Sequence, residues 1–280
     1  MKIDQQLQKD FRASFLGAGS IAEALLNGMI KQKLLLAPNI YVTNHSNNER
    51  LTFLQITYGV TPIRDLSAML AESDIIFLAM KPKDVADACN SLRGLVKPHH
   101  LVISVIAGVP LSALQDWLGV DCPIIRTMPN TSSAIGLSAT GIARGKFATD
   151  EHVEIATRFF QSIGSVCLVP EEELDIITGL SGSGPAYVYY LVEAMEGAGQ
   201  KAGLTKEVSR QLTVQTLLGA AQMLLASDED PEILRKKITS PGGTTQAALE
   251  VLESYDFKQA ITKAILRATE RSKELGAVYR

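Results

Sequence analysis

Cysteine, excess charge of either sign and long apolar runs are all scarce in this 280-residue chain. The three cysteines, Cys89, Cys122 and Cys167, lie far apart, with no CxxC pair and no histidine cluster beside them. That excludes a disulfide framework and a zinc site, and the odd count suits a reducing compartment. Lys and Arg number 27 against 30 Asp and Glu, a net charge of −3, with a pI near 5.9. Such a surface has no general attraction for nucleic acid or an anionic membrane, so any bound anion must be held by a local site. No run approaches the roughly 20 apolar residues of a membrane helix. The opening stretch Met1–Asp10 is polar and lacks the apolar core of a signal peptide. A cytoplasmic protein without a bound metal is expected.

What is present is ample core material: 46% hydrophobic residues against 20% charged. The length suggests two domains. In the first half, short strands read at 11–16, 40–43, 75–79, 101–105 and 123–127, apolar on both faces as in a buried parallel sheet. Amphipathic helices alternate with them at 21–31, 48–58, 66–71, 83–95 and 111–118, which is the pattern of a doubly wound α/β domain. Further strands read at 139–143 and 166–169, with a helix at 150–163 between them. After Pro170 nearly everything has helical character: 172–180, 185–202, 206–226, 231–238, 245–253 and 257–275. The fold class is therefore an N-terminal Rossmann-like α/β domain, residues 1–168, followed by an all-α domain, residues 169–280. The helix at 206–226 is apolar on nearly every face in its second half, from Leu217 to Leu225. It must be buried all round, either by a partner subunit or at the centre of its own bundle.

The sharpest local signal follows the first strand: Gly17-Ala18-Gly19-Ser20-Ile21-Ala22, a G-x-G-x-x-A turn into a helix. Gly17 permits the tight turn, Gly19 lets backbone approach a pyrophosphate, and Ala22 is small enough for the helix to pack on the sheet. The helix N-terminus offers free N–H groups to the phosphates. Twenty-five positions beyond Gly19 the second strand ends in Asn44-His45-Ser46. No carboxylate stands there to take a ribose 2′-hydroxyl, whereas hydroxyl, amide and backbone donors, with charge from His45 or Arg50, suit a 2′-phosphate. NADP(H) is favoured over NAD(H). Ala79-Met80-Lys81-Pro82 ends a later strand and so faces the same crevice, the proline fixing the loop on the nicotinamide side. Asn130, in Arg126-Thr127-Met128-Pro129-Asn130-Thr131, is placed to fix its loop through side-chain-to-backbone bonds.

A second glycine-rich loop, Ser240-Pro241-Gly242-Gly243-Thr244-Thr245, lies between two helices. Successive N–H groups from Gly242 to Thr245 would form an anion nest apt for a carboxylate, with three hydroxyls as adjustable partners. The bland alternative is a helix–helix turn with a threonine cap, but two glycines and three hydroxyls in six residues favour a site. Glu171-Glu172-Glu173 complements a helix N-terminus, and His99-His100 marks a surface turn. Ser181-Gly182-Ser183-Gly184 lacks the preceding strand of a nucleophile elbow.

Taken together, FLGAGSIAEAL from Phe15, FLAMKP from Phe77, RTMPNT from Arg126, TGLSGSGPAY from Thr178, SPGGTT from Ser240 and RSKELG from Arg271 resemble the pyrroline-5-carboxylate reductase family. The resemblance runs from about Arg12 to Gly276. It implies reduction of L-1-pyrroline-5-carboxylate to L-proline with NADPH or NADH, the last step of proline biosynthesis. It implies an interlocked homodimer, or a higher homo-oligomer such as a decamer. By motif, Thr245 would hydrogen-bond the substrate ring nitrogen. Ser240, Gly242, Gly243 and Thr244 would hold the carboxylate from the partner subunit. His45 stands where many relatives carry arginine, Arg64 where they often carry an adenosine-side Asn, and Lys236 where Asp is common. Two other classes fit the scaffold: a 3-hydroxy-acid dehydrogenase, which would need a lysine motif that Lys201, Lys206, Lys236 and Lys237 do not supply, and a non-catalytic nucleotide sensor, which would have no use for the Ser240–Thr245 loop.

Overall fold

The computed structural model describes residues 11–279; the polar stretch Met1–Asp10 lies outside them. The chain forms two compact units, the first reaching Ser183 and regaining the chain from Arg267, the second spanning Gly184–Leu266. The first unit runs β1 (Ala13–Leu16), α1 (Ser20–Lys31), β2 (Ile40–Thr43), α2 (Asn48–Tyr58), β3 (Thr61–Pro62), α3 (Leu66–Ala71), β4 (Ile75–Leu78), α4 (Val85–Leu92), β5 (Leu101–Ser104), α5 (Leu111–Leu118), β6 (Ile124–Met128), β7 (Ser138–Arg144), α6 (Asp150–Gln161), β8 (Gly164–Leu168) and α7 (Leu174–Ile177). The second contains α8 (Gly184–Lys201), α9 (Lys206–Leu225), α10 (Pro231–Lys237), α11 (Thr244–Ser254) and the start of α12 (Phe257–Ala277), whose end belongs to the first unit.

The described residues form an eight-stranded sheet of order β3-β2-β1-β4-β5-β6-β7-β8. Its pairs are parallel except β6 with β7. Between those two strands lies only a short loop with a 3-10 turn at Thr131–Ile135. A chain with no crossover helix must come back antiparallel.

Alternation along each strand explains the apolar runs. Ile75 and Phe77 face one cluster, with α1 and α6; Ile76 and Leu78 face the other, with α4 and α5. Phe15 and Phe77 stand opposite each other in the β1–β4 register. Their rings stack at 4.3 Å, and Phe159 of α6 meets Phe77 edge-on at 5.8 Å. Each such buried ring contributes about 2–3 kcal/mol of transfer free energy. α1 presses close to the turn after α6, where a Cβ on Gly28 would lie 2.5 Å from the Ser162 hydroxyl.

The first compact unit extends through Ser183. The reason is packing: Leu174 and Ile177 of α7 press against Gly141 of β7, where a Cβ would meet Ile177 at 2.5 Å. In the second unit α8 and α9 approach closely at Gly199, where a Cβ would lie 2.7 Å from the Ser209 hydroxyl. Thr205 caps α9 by accepting from the Val208 N–H. The apolar second half of α9 is not buried within the chain: Leu218, Met223, Leu224 and Leu225 are exposed, Leu225 to 82%. Among the described residues, α9 does not sit at the centre of its own bundle.

Candidate active site

The carboxyl ends of β1, β2 and β4 lie side by side in the sheet. Gly17 sits at φ +114°, its N–H donates to the Thr43 carbonyl at 2.9 Å, and a Cβ there would lie 2.3 Å from the Ala79 carbonyl oxygen. Ala79 in turn donates its N–H to the Leu16 carbonyl at 2.8 Å. Only glycine fits where three strand ends are tied this tightly. Gly19 is the N-cap of α1 and offers no side chain to the helix's first N–H groups. A Cβ on Gly19 would meet nothing within 4 Å, so open space lies over it. Ala18 and Ala22 are buried, while Ser20 is exposed and Ile21 half-buried. Free N–H groups, a positive helix end and room above the backbone fit a pyrophosphate.

At the end of β2, Asn44 donates from Nδ2 to the Asn47 carbonyl at 2.8 Å. Its Oδ1 is buried without a hydrogen-bond partner among the described residues. An orphaned acceptor there fits a ribose hydroxyl. His45 and Ser46 are exposed beside it, and Asn47 caps α2 by accepting from the Arg50 N–H at 2.8 Å.

Arg50 is not the free cation the sequence offered. Its Nε donates to the Ala18 carbonyl at 2.7 Å, and its guanidinium pairs with Glu23, which also receives the Tyr58 hydroxyl. Burial works to raise the Glu23 carboxyl, but the bonds from Arg50 and Tyr58 outweigh it and hold it below its ordinary value. Arg64, noted in the sequence only as a departure, is the cation at this strand end. It donates to the Asn44 carbonyl and to Oδ1 of Asn48. Sequence spacing gave no sign of that contact, because Arg64 reaches the loop through the two-residue strand β3.

The Ala79–Pro82 loop leaves β4 with Ala79 and Met80 half-buried and Lys81 and Pro82 exposed. Pro82 opens a 3-10 turn into α4. On the same sheet, Asn130 caps its own turn by accepting from the Ser132 N–H, and donates to the Ser181 carbonyl, both at 3.1 Å. The segment around Ser181 is a π-helical turn, Thr178–Gly182, and has no nucleophile-elbow geometry.

In the second unit, Ser240–Thr245 folds as a turn into α11. The Gly243 N–H donates to the Ser240 carbonyl at 3.0 Å, and the Gly242 N–H to the Gln246 side chain at 2.8 Å. Two of the four expected nest donors are therefore turned inward. The first-turn N–H groups of Thr244 and Thr245 have no acceptor within the helix. Gly242 lies at φ +70°. Gly243 is the N-cap, where a Cβ would strike the Ser240 hydroxyl at 2.5 Å. Gln246, which sequence reasoning missed, also bonds Glu250 at 2.8 Å and so braces the loop against its helix. Lys236 and Lys237 pair with Glu232 and Glu229.

Among the described residues no cluster of three or more His, Cys, Asp or Glu side chains is placed to hold a metal. Burial pushes the Cys89 thiol up to about 12 and Cys122 up to about 11. The chain matches the family model described as pyrroline-5-carboxylate reductase dimerisation over residues 171–275. Residues 12–108 match that described as NADP oxidoreductase, coenzyme F420-dependent. Pyrroline-5-carboxylate reductase 1 of Bacillus subtilis is 45% identical over 264 residues, 94% of this chain and 89% of the relative. The solved pyrroline-5-carboxylate reductase of Coxiella burnetii superposes with a TM-score of 0.88 at 35% identity, covering 95% of this chain and 98% of that one. The Plasmodium falciparum pyrroline carboxylate reductase, solved with NADP bound, gives 0.85 at 28% identity, covering 96% and 99%.

Proposed function

The chain belongs to the pyrroline-5-carboxylate reductase family, and from that premise we propose an NADPH-preferring homodimer whose first unit holds the nucleotide and whose second unit holds the substrate. The reaction is the NAD(P)H-dependent reduction of L-1-pyrroline-5-carboxylate to L-proline, the last step of proline biosynthesis. The observation that carries this reading is 45% identity across 94% of the chain, a span that includes both glycine loops.

The nucleotide is held at Gly17, Ala18, Gly19, Ser20 and Ile21 by backbone N–H groups, and along Ala79, Met80, Lys81 and Pro82. Asn44, His45 and Ser46 would hold its adenosine end. Preference for NADPH is supported by a β2 end without a carboxylate and by Arg64 held against the Asn44 carbonyl, a guanidinium suited to a 2′-phosphate. The reduced nicotinamide supplies the hydride that the imine carbon accepts.

The free N–H groups at the start of α11, with Ser240 and Thr244, take the substrate carboxylate. The Thr245 hydroxyl accepts a hydrogen bond from the protonated ring nitrogen and so orients the C=N bond. An alcohol is a poor acid, so the proton on that nitrogen comes from water or arrives with the substrate. The rate enhancement then rests on proximity and orientation. The exposed apolar residues of α9 support a partner subunit covering that helix, and free cysteines support a reducing cytoplasm.

Thr245→Ala is expected to lower kcat/KM for pyrroline carboxylate about tenfold or more while NADPH affinity stays unchanged. Unchanged turnover would remove Thr245 from the mechanism. Arg64→Ala is expected to lower the ratio of kcat/KM for NADPH to that for NADH, and an unchanged ratio would remove Arg64 from 2′-phosphate recognition.

A further inference from the structure

The C-terminal end of α12 and the residues after it are docked on the first unit by a specific set of contacts. The helix buries Thr269, Ser272 and Gly276, spaced three and four apart, so one stripe faces the unit. The Ser272 hydroxyl donates to the Asp175 carboxylate at 2.6 Å, and both groups are buried. Gly276 lies so close to Gly108 that a Cβ would come within 2.6 Å of the Gly108 carbonyl oxygen. These two contacts fix the C-terminal end of the helix within the first unit. The chain then turns, with the Tyr279 N–H donating to the Gly276 carbonyl at 3.1 Å.

Tyr279 lands on the candidate cofactor loop. Its hydroxyl donates to the Pro82 carbonyl at 3.0 Å, 197 positions away in sequence. Its ring meets Trp117 edge-on at 5.7 Å, and it packs on the same apolar cluster as Met80. The Ala79–Pro82 loop is held where it leaves β4 by the Leu16 carbonyl, and Tyr279 holds it where the 3-10 turn before α4 begins. Between those ties Lys81 and Pro82 are exposed.

We infer that Tyr279 is a positioning residue: the C-terminal segment straps the Ala79–Pro82 loop into the geometry that receives the nicotinamide nucleotide. This rests on reading that loop as part of the cofactor site. Tyr279 acts through the Pro82 carbonyl, the atom its hydroxyl bonds. It also lies beyond the residues matched by the dimerisation model, which end at 275.

The test uses the full chain, whose single tryptophan, Trp117, reports the Tyr279 contact by its emission, while calorimetric titration reports NADPH binding. Tyr279→Phe removes the hydroxyl and keeps the ring. Its NADPH Kd and KM are expected to rise about fivefold, the worth of one hydrogen bond. The unliganded Trp117 emission, the melting temperature, and KM for pyrroline carboxylate are expected to stay as in the parent. Lys81→Ala is measured alongside. If it weakens NADPH while Tyr279→Phe does not, the strap is overturned and the loop reading stands. If neither variant weakens NADPH, the loop reading falls and the strap with it. A Tyr279→Phe enzyme that melts several degrees early with unchanged NADPH affinity has a merely structural tyrosine, which also overturns the inference.

Discussion

One oxygen of Glu171 receives both the Arg126 guanidinium, at 3.0 Å, and the Leu111 backbone N–H, at 2.7 Å. Arg126 is buried in the middle of β6, and Leu111 opens α5 behind a proline that cannot cap it with a side chain. Glu171 therefore neutralises a buried cation and caps a helix 60 residues away. The acidic run 171–173 stands in the first turn of its own 3-10 helix, and Glu171 also complements the N-terminus of α5. Glu171→Ala leaves Arg126 buried and unpaired. Because Glu171 is itself about a third exposed, the expected loss is about 2–3 kcal/mol, or several degrees in Tm. Denaturant unfolding checks it, and an unchanged midpoint would contradict the role.

Gly17→Ala would drive a Cβ to 2.3 Å from the Ala79 carbonyl oxygen at φ +114°. To accommodate it the phosphate turn and the Ala79–Pro82 loop must separate, so NADPH affinity should fall at least about tenfold. Calorimetric titration of NADPH into the folded variant measures this. Parent-like affinity would mean the nucleotide does not use this turn.

His100 gives the fold a pH dependence. The ring is buried, its Nδ1 accepts the Lys97 N–H at 3.0 Å, and burial, with a smaller push from His99, lowers its pKa to about 4. The unfolded chain binds this proton more readily than the folded one between the ordinary pKa near 6.5 and about 4. The contribution is thus complete above that window and is lost as pH falls through it. Stability should decline by at most about 1.4 kcal/mol per pH unit there, with the slope vanishing below pH 4. Urea unfolding across the window checks it: the His100→Gln slope should be flatter, and an identical slope in both proteins would contradict the assignment.

The parts of the site legible in the sequence were those written locally. Gly17 and Gly19 declared the phosphate turn because backbone geometry at a strand-to-helix turn demands glycine. Asn48–Tyr58 ended where expected because Asn47 caps it and Gly59, at φ +73°, stops it. Nonlocal features were not legible. The strand β3 has two residues, one of them proline, and exists only because β2 lies beside it. Arg64 reads as a loop residue until that pairing carries it to Asn44. The inward turn of the Gly242 N–H depends on the Gln246 rotamer, and Tyr279 meets Pro82 only after the sheet, α5 and α12 have assembled.

The central claim is tested most directly by following NADPH oxidation in the presence of L-1-pyrroline-5-carboxylate, then repeating the assay with NADH. The account predicts rapid, substrate-dependent oxidation with L-proline as product, and a higher kcat/KM with NADPH. No turnover with either nucleotide, in a folded preparation that binds NADPH, would contradict it.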